Sequence, residues 1–283
     1  MKDPPLAFLA GTSRIAGLIC ERLTSAKTQP NVKFVASGPG LPRNLLVDDL
    51  LPIELATAIS DAFPHVSQMR RLDSFRERKY TSKSLERFDQ TLTDITFAFQ
   101  HPTVLSLLAE ITGYSAISSD PQLYAGGLST MVQGDFLHPH IDNSHDQNRE
   151  KYRVLNALYY VSQNWSETDG GGLELWDERV RRHVEIPAVF NRLVIMETNA
   201  KSFHSVNEIV GPGERRCVSN YFFSPISPNA VETEHVTYFR GRPEDRMSRI
   251  LLRIDSDVRS AIRKAKKSGL SRSDTYTGAG PSK

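Results

Sequence analysis

From about residue 122 the chain breaks into short runs rich in Val, Leu and Tyr. They are LSTMVQG, RVLNALYYVS, GLELWD, HVEIP, NRLVIME and RCVSNYFFS, divided by Gly, Pro, Asn and Asp. Runs this short, with no helical pattern between them, exclude a parallel βαβ sheet and point to a sandwich or barrel. DGGGLELWD (Asp169 to Asp177) reads as a glycine turn feeding a strand. Helical periodicity lies on either side. Leu85, Phe88, Leu92, Ile95 and Phe99 form one apolar face, as do Leu55, Ile59 and Phe63. Val104, Leu107, Leu108 and Ile111 form a third, ended by Gly113. Beyond Pro243, Ile250, Ile254, Val258 and Ile262 repeat every fourth residue, with basic side chains read as a solvated face. The expected class is mainly β with flanking helices (α+β). Residues 1–115 form an N-terminal helical segment, 116–228 the β core, 229–270 a C-terminal helical extension and 271–283 a disordered tail.

Composition narrows the function. The 35 basic and 33 acidic residues leave a net charge of +2, which argues against nucleic acid as the main partner. Cys20 and Cys217 are too few for a disulfide framework, so a reducing, cytoplasmic setting is expected. No run of about 18 apolar residues exists, so no membrane span is expected. The first twenty residues lack the pattern of a signal peptide. No feature sets an oligomeric state.

The stretch GDFLHPHIDNSHD concentrates three of the eight histidines. On an extended strand His140 and Asp142 share a face, so one imidazole and one carboxylate can aim at one point. Alone, such a pair fits a surface or turn role better than half a metal site. His204 follows the strand NRLVIME, and Arg216 opens the strand RCVSNYFF. Two His and one carboxylate form a facial triad, which leaves neighbouring coordination positions open on a non-haem Fe(II). A 2-oxo acid chelating that metal needs a charged, planar partner for its far carboxylate, and Arg supplies one.

GDFLHPHID, YYVSQNW, GGGLELW, FHSVNEI and RRCVSNYFF, in this order, resemble the Fe(II)/2-oxoglutarate dioxygenase superfamily, and within it the prolyl-4-hydroxylase-like branch. The resemblance covers roughly residues 120 to 225. It implies a double-stranded β-helix, a cupin-like jelly-roll with the metal between its sheets. It implies His140, Asp142 and His204 as iron ligands. Arg216, six positions before the aromatic Phe222, matches the 2-oxoglutarate arginine, with Arg215 on the opposite face. Tyr159 matches the tyrosine that assists the same carboxylate, with Tyr160 facing away. Leu173 matches an apolar wall residue. Asn220 shares the Arg216 face and is a candidate lining residue. Met131 stands where the branch often has a tyrosine. His138 has the parity of His140 and is the competing ligand. His145 reads as a loop residue and His183 as an exposed strand residue. His65, His101 and His235 receive no role.

The resemblance implies a hydroxylase acting on an unactivated C–H bond of a small-molecule or peptidyl substrate. It would use Fe(II), O2 and 2-oxoglutarate, release succinate and CO2, and have ascorbate as a candidate reductant. A metal-dependent hydrolase and a non-catalytic jelly-roll binding module are the alternatives. No nucleic-acid or membrane partner is expected.

Overall fold

The computed structural model describes residues 6–29, 32–228 and 234–265, so the expected tail 271–283 lies outside the described residues. Five α-helices are α1 (Leu6–Lys27), α2 (Ile53–Asp61), α3 (Gln90–Ala98), α4 (Pro102–Thr112) and α5 (Arg246–Ala265). Four strands precede the core: β1 (Val35–Ala36), β2 (Arg43–Val47), β3 (Arg70–Asp73) and β4 (Glu77–Ser82). The core holds β5 (Gly127–Met131), β6 (Phe136–Ile141), β7 (Tyr152–Tyr160), β8 (Leu173–Trp176), β9 (His183–Ile186), β10 (Arg192–Glu197), β11 (His204–Val206) and β12 (Arg215–Ser224). A last strand, β13 (Tyr238–Phe239), follows it.

The core strands pair antiparallel in a nested order: β5 with β12, β6 with β11, β7 with β10, and β8 with β9. Two further pairings, β7 with β12 and β8 with β11, join these pairs laterally. First-with-last nesting of eight strands is the topology of a double-stranded β-helix, or jelly-roll. The sheet therefore folds back on itself. Tyr160, Val194, Met196 and Cys217 from one half pack in one apolar cluster with Leu137, Leu173, Leu175 and Val206 from the other.

The opposite face of β7, β10 and β12 is covered by helices. Leu155, Ala157, Tyr159, Leu193, Ile195, Val218 and Phe222 pack there against Ile19, Ile59, Leu92, Ile95 and Val104. Full burial of each larger side chain contributes about 1.5–3 kcal/mol. These helices end where their sequences dictate. The His101 ring accepts from the Thr103 amide before Pro102 opens α4, and Gly113 closes it at φ +76°.

The segment before residue 116 is not only helical. β2 joins β10, and β4 inserts between β5 and β6. Their sequences, RNLLV and ERKYTS, are short and charged, so their strand character shows only through their partners.

Candidate active site

His140 is the penultimate residue of β6, Asp142 follows the strand and His204 opens β11, which pairs with β6 through His204↔His140. All three are buried. One ligand atom from each lies within 4.8 Å of the other two. His140 Nδ1 donates to the His138 carbonyl at 3.0 Å, and His204 Nδ1 donates to the Ser202 carbonyl at 3.1 Å. Both imidazoles are thereby fixed with Nε2 toward Asp142, at 3.8 and 3.7 Å from its oxygens. Backbone carbonyls holding the second nitrogen are the usual outer support of a metal-binding histidine. Asp142 Oδ2 is buried without a hydrogen-bond partner. Burial, together with the neighbouring His204, pushes the His140 pKa down to about 3, so its imidazole is neutral and free to donate to a metal. Burial raises the Asp142 pKa, but His204, Arg153 and His140 outweigh it and hold the carboxylate ionised. Two imidazole nitrogens and one carboxylate oxygen fit a non-haem Fe(II) with open positions.

His138 is not the competing ligand that its parity suggests. Between Leu137 and His140, β6 spends three residues where β11 spends two, Val206 to His204. This bulge falls at Pro139, a residue that cannot donate to the ladder. It turns Leu137 and His140 inward together. The His138 amide instead bonds the Arg76 carbonyl at 3.0 Å, and its ring feels Arg242, Asp245 and Glu174, outside the barrel. Phe239 of β13 stacks on His140, with centroids 5.1 Å apart at 21°, and backs its imidazole from behind.

The structure reverses the expected facing of β12 and β7. Arg216 points to the helices: it pairs with Glu214 at 2.8 Å and donates to the Ser60 carbonyl at 2.7 Å. Tyr159 packs on Phe99, and its hydroxyl bonds Asn191 at 2.8 Å. Asn220 accepts from Gln100 at 2.9 Å on the same side. The corrections for Arg216 and Asn220 have one cause, and Tyr159, paired with Val218 across β7 and β12, shares their face. Phe222, used to set the phase of β12, belongs to the helix-side core with Val218. A strand phase wrong by one residue moves every side chain to the other face.

Arg215, Cys217 and Tyr160 occupy the barrel side instead. Arg215 is buried, its guanidinium 4.8 Å from the Tyr160 ring centroid. Its Nε donates to the Gly171 carbonyl at 2.6 Å, and its Nη1 lies 3.8 Å from Met131 Sδ. Among the described residues it forms no ion pair with a carboxylate. The Tyr160 hydroxyl is buried with no partner in hydrogen-bond geometry, and burial raises its pKa while the neighbouring Arg215 guanidinium opposes that rise. Gly171 makes this placement possible. It sits at φ +71°, and a Cβ there would lie 2.7 Å from Arg215 Cδ. Met131 and Leu173 do face this interior.

Two further groups border the triad. Arg153, at the start of β7, is buried with Nη1 3.5 Å from Asp142 Oδ1 and its guanidinium 4.0 Å from the Tyr221 ring centroid. Its Nε and Nη2 have no hydrogen-bond partner. His235 lines, with Arg153 and Asp142, a cavity of about 10 Å³, room for one water. Neither carried a signal of its own in the sequence. Arg242 forms a two-point ion pair with the buried Glu174 at 2.5 and 2.7 Å.

Residues 126–223 match the family described as the 2OG-Fe(II) oxygenase superfamily. No curated protein matches the chain. Among solved structures, a prolyl hydroxylase from Trichoplax adhaerens, in complex with a hypoxia inducible factor oxygen degradation domain peptide fragment, is 15% identical. That match covers 78% of this chain and 94% of that chain, with a TM-score of 0.49. A Pseudomonas putida prolyl-4-hydroxylase is 14% identical over 73% of this chain and 98% of that chain, with a TM-score of 0.46. HygX from Streptomyces hygroscopicus, with nickel, 2-oxoglutarate and hygromycin B bound, is 12% identical over 68% and 85%, with a TM-score of 0.43.

Proposed function

Because residues 126–223 are a core of the 2OG-Fe(II) oxygenase superfamily, we propose that the chain hydroxylates a C–H bond of a small-molecule or peptidyl substrate. His140, Asp142 and His204 hold Fe(II), and Arg215 with Tyr160 holds the far carboxylate of 2-oxoglutarate. The metal, when bound, supplies O2 activation coupled to decarboxylation of 2-oxoglutarate to succinate and CO2. The residues supply position, charge and dryness.

The observation that carries this reading is the pair Arg215 and Tyr160. A buried guanidinium without a carboxylate, beside a buried hydroxyl without a partner, is costly unless a ligand completes both. A carboxylate accepts from both at once, with the guanidinium donating along two parallel directions. Met131, Leu173 and Val206 give the rest of the space an apolar wall suited to a methylene chain. A hydrolytic metal site has no use for this charge. On the substrate side, the unpartnered nitrogens of Arg153 offer donors to a carbonyl or carboxylate next to the reacting carbon.

Anaerobic titration of the protein with Fe(II) and 2-oxoglutarate tests the reading. A charge-transfer band in the visible region should appear only when both are present, and should require Arg215. No band at saturating Fe(II) and 2-oxoglutarate, together with no succinate release in a substrate screen, would remove it.

A further inference from the structure

Helix α5 carries its apolar side outward. Of ten large apolar side chains strongly exposed among the described residues, five lie on it: Met247 (70%), Ile250 (59%), Leu251 (53%), Ile254 (57%) and Val258 (51%). Their spacing of three and four puts them on one helix face. The opposite side holds the helix to the protein. Leu252 and Ser256 are buried, and the Ser256 hydroxyl bonds both the amide and the carbonyl of Phe239, at 2.9 and 3.1 Å. Asp255 pairs with Arg76 at 2.9 Å. The outward row is therefore not an unfinished core contact of this chain.

Charge identifies what covers it. Residues 246–267 contain Arg246, Arg249, Arg253, Arg259, Arg263, Lys264, Lys266 and Lys267 against Asp255 and Asp257 alone. The whole chain is only +2, so the positive charge is gathered in this one segment while the rest is net acidic. Two copies pairing through this row would bring two strongly basic helices together. An anionic bilayer surface meets both demands. Its headgroups neutralise the arginines and lysines, and its acyl boundary takes up the apolar row. No described helix is long and apolar enough to cross a membrane, and α5 needs only to lie on one.

We infer that α5 is an interfacial helix that docks the protein on anionic lipid. The inference draws nothing from the oxygenase reading. The test is vesicle sedimentation of the full chain. Vesicles of equal parts phosphatidylcholine and phosphatidylserine should pellet the protein, vesicles of phosphatidylcholine alone should not, and high salt should release it. Ile254→Asp should lower partitioning at least about tenfold. Arg253→Glu, which keeps the apolar row, should lower it at least about fivefold. Both positions are exposed, and unchanged thermal melts would show that both variants fold. No pelleting with the mixed vesicles overturns the inference. So does a concentration-dependent dimer in analytical ultracentrifugation that Ile254→Asp dissolves, since the row would then belong to a second copy.

Discussion

The two faces of β7 and β12 treat their polar groups differently. On the helix side, the functional groups of Tyr159 and Arg216 and the Asn220 oxygen have partners within the chain, while Asn220 Nδ2 has none. On the barrel side, the Tyr160 hydroxyl, Arg153 Nε and Nη2, and the nearby Asp142 Oδ2 have none. Buried polar groups are ordinarily satisfied, so exceptions gathered around the triad need a cause. The helix-side pairs close the fold on itself. The barrel-side groups are complete only with something bound. On the proposed function the same strands carry stability on one face and recognition on the other, and substitutions should separate the two.

The largest separation is expected between His204 and Phe222. His204→Ala removes a ligand and should weaken Fe(II) binding by more than the about 10–100-fold typical of changes in a ligand's support. Its melting temperature without metal should fall only modestly, because the Ser202 carbonyl loses its donor but Asp142 keeps Arg153 and His140 as neighbours. Phe222→Ala should do the reverse. It empties a fully buried site in the helix-side core and should cost about 3–5 kcal/mol of stability, while the folded fraction binds Fe(II) as before. Isothermal titration with Fe(II) and chemical denaturation measure the two quantities. Equal stability losses in both variants would erase the distinction between the faces.

The adjacent arginines sharpen it. Arg215→Ala should raise the dissociation constant for 2-oxoglutarate about 100-fold, corresponding to about 3 kcal/mol for a desolvated charge-assisted pair. Arg216→Ala should leave it within about twofold and cost at most about 1 kcal/mol of stability, because its ion pair with Glu214 is partly exposed. The charge-transfer band read at increasing 2-oxoglutarate gives both values. If Arg216→Ala carried the larger loss, the phase of β12 would be wrong.

That phase is where the sequence stopped being informative. His140 and Asp142 were legible because a strand places i and i+2 on one side, and His204 because it follows a clear strand. RRCVSNYFF offers no such guide. The strand is buried on both faces, so apolar residues occur at odd and even positions alike, and two arginines stand side by side. YRVLNALYYV is ambiguous for the same reason, with two adjacent tyrosines. The bulge at Pro139 removed His138 from the site by breaking the period that had put it there. Strands β3 and β4 were unreadable because RRLD and ERKYTS are too charged to resemble strands without the partners they join. Arg153 and His235 gain their place beside Asp142 from the tertiary fold alone.

The smallest contrast is between the neighbouring tyrosines, and it isolates single hydroxyl groups. Tyr159→Phe removes one of the two donors to Asn191 Oδ1, which still accepts from the Leu51 amide at 3.1 Å. It should cost about 1 kcal/mol of stability and leave 2-oxoglutarate binding unchanged. Tyr160→Phe removes a hydroxyl that has no partner within the chain, so its stability cost should be near zero or favourable. Its effect should fall on the co-substrate, raising the dissociation constant about tenfold for one lost hydrogen bond to a carboxylate. Denaturant midpoints and 2-oxoglutarate titrations on the two variants provide four numbers whose pattern is fixed in advance. A stability loss in Tyr160→Phe with no change in binding would mean that its hydroxyl serves the fold, and would leave Arg215 to hold the carboxylate without it.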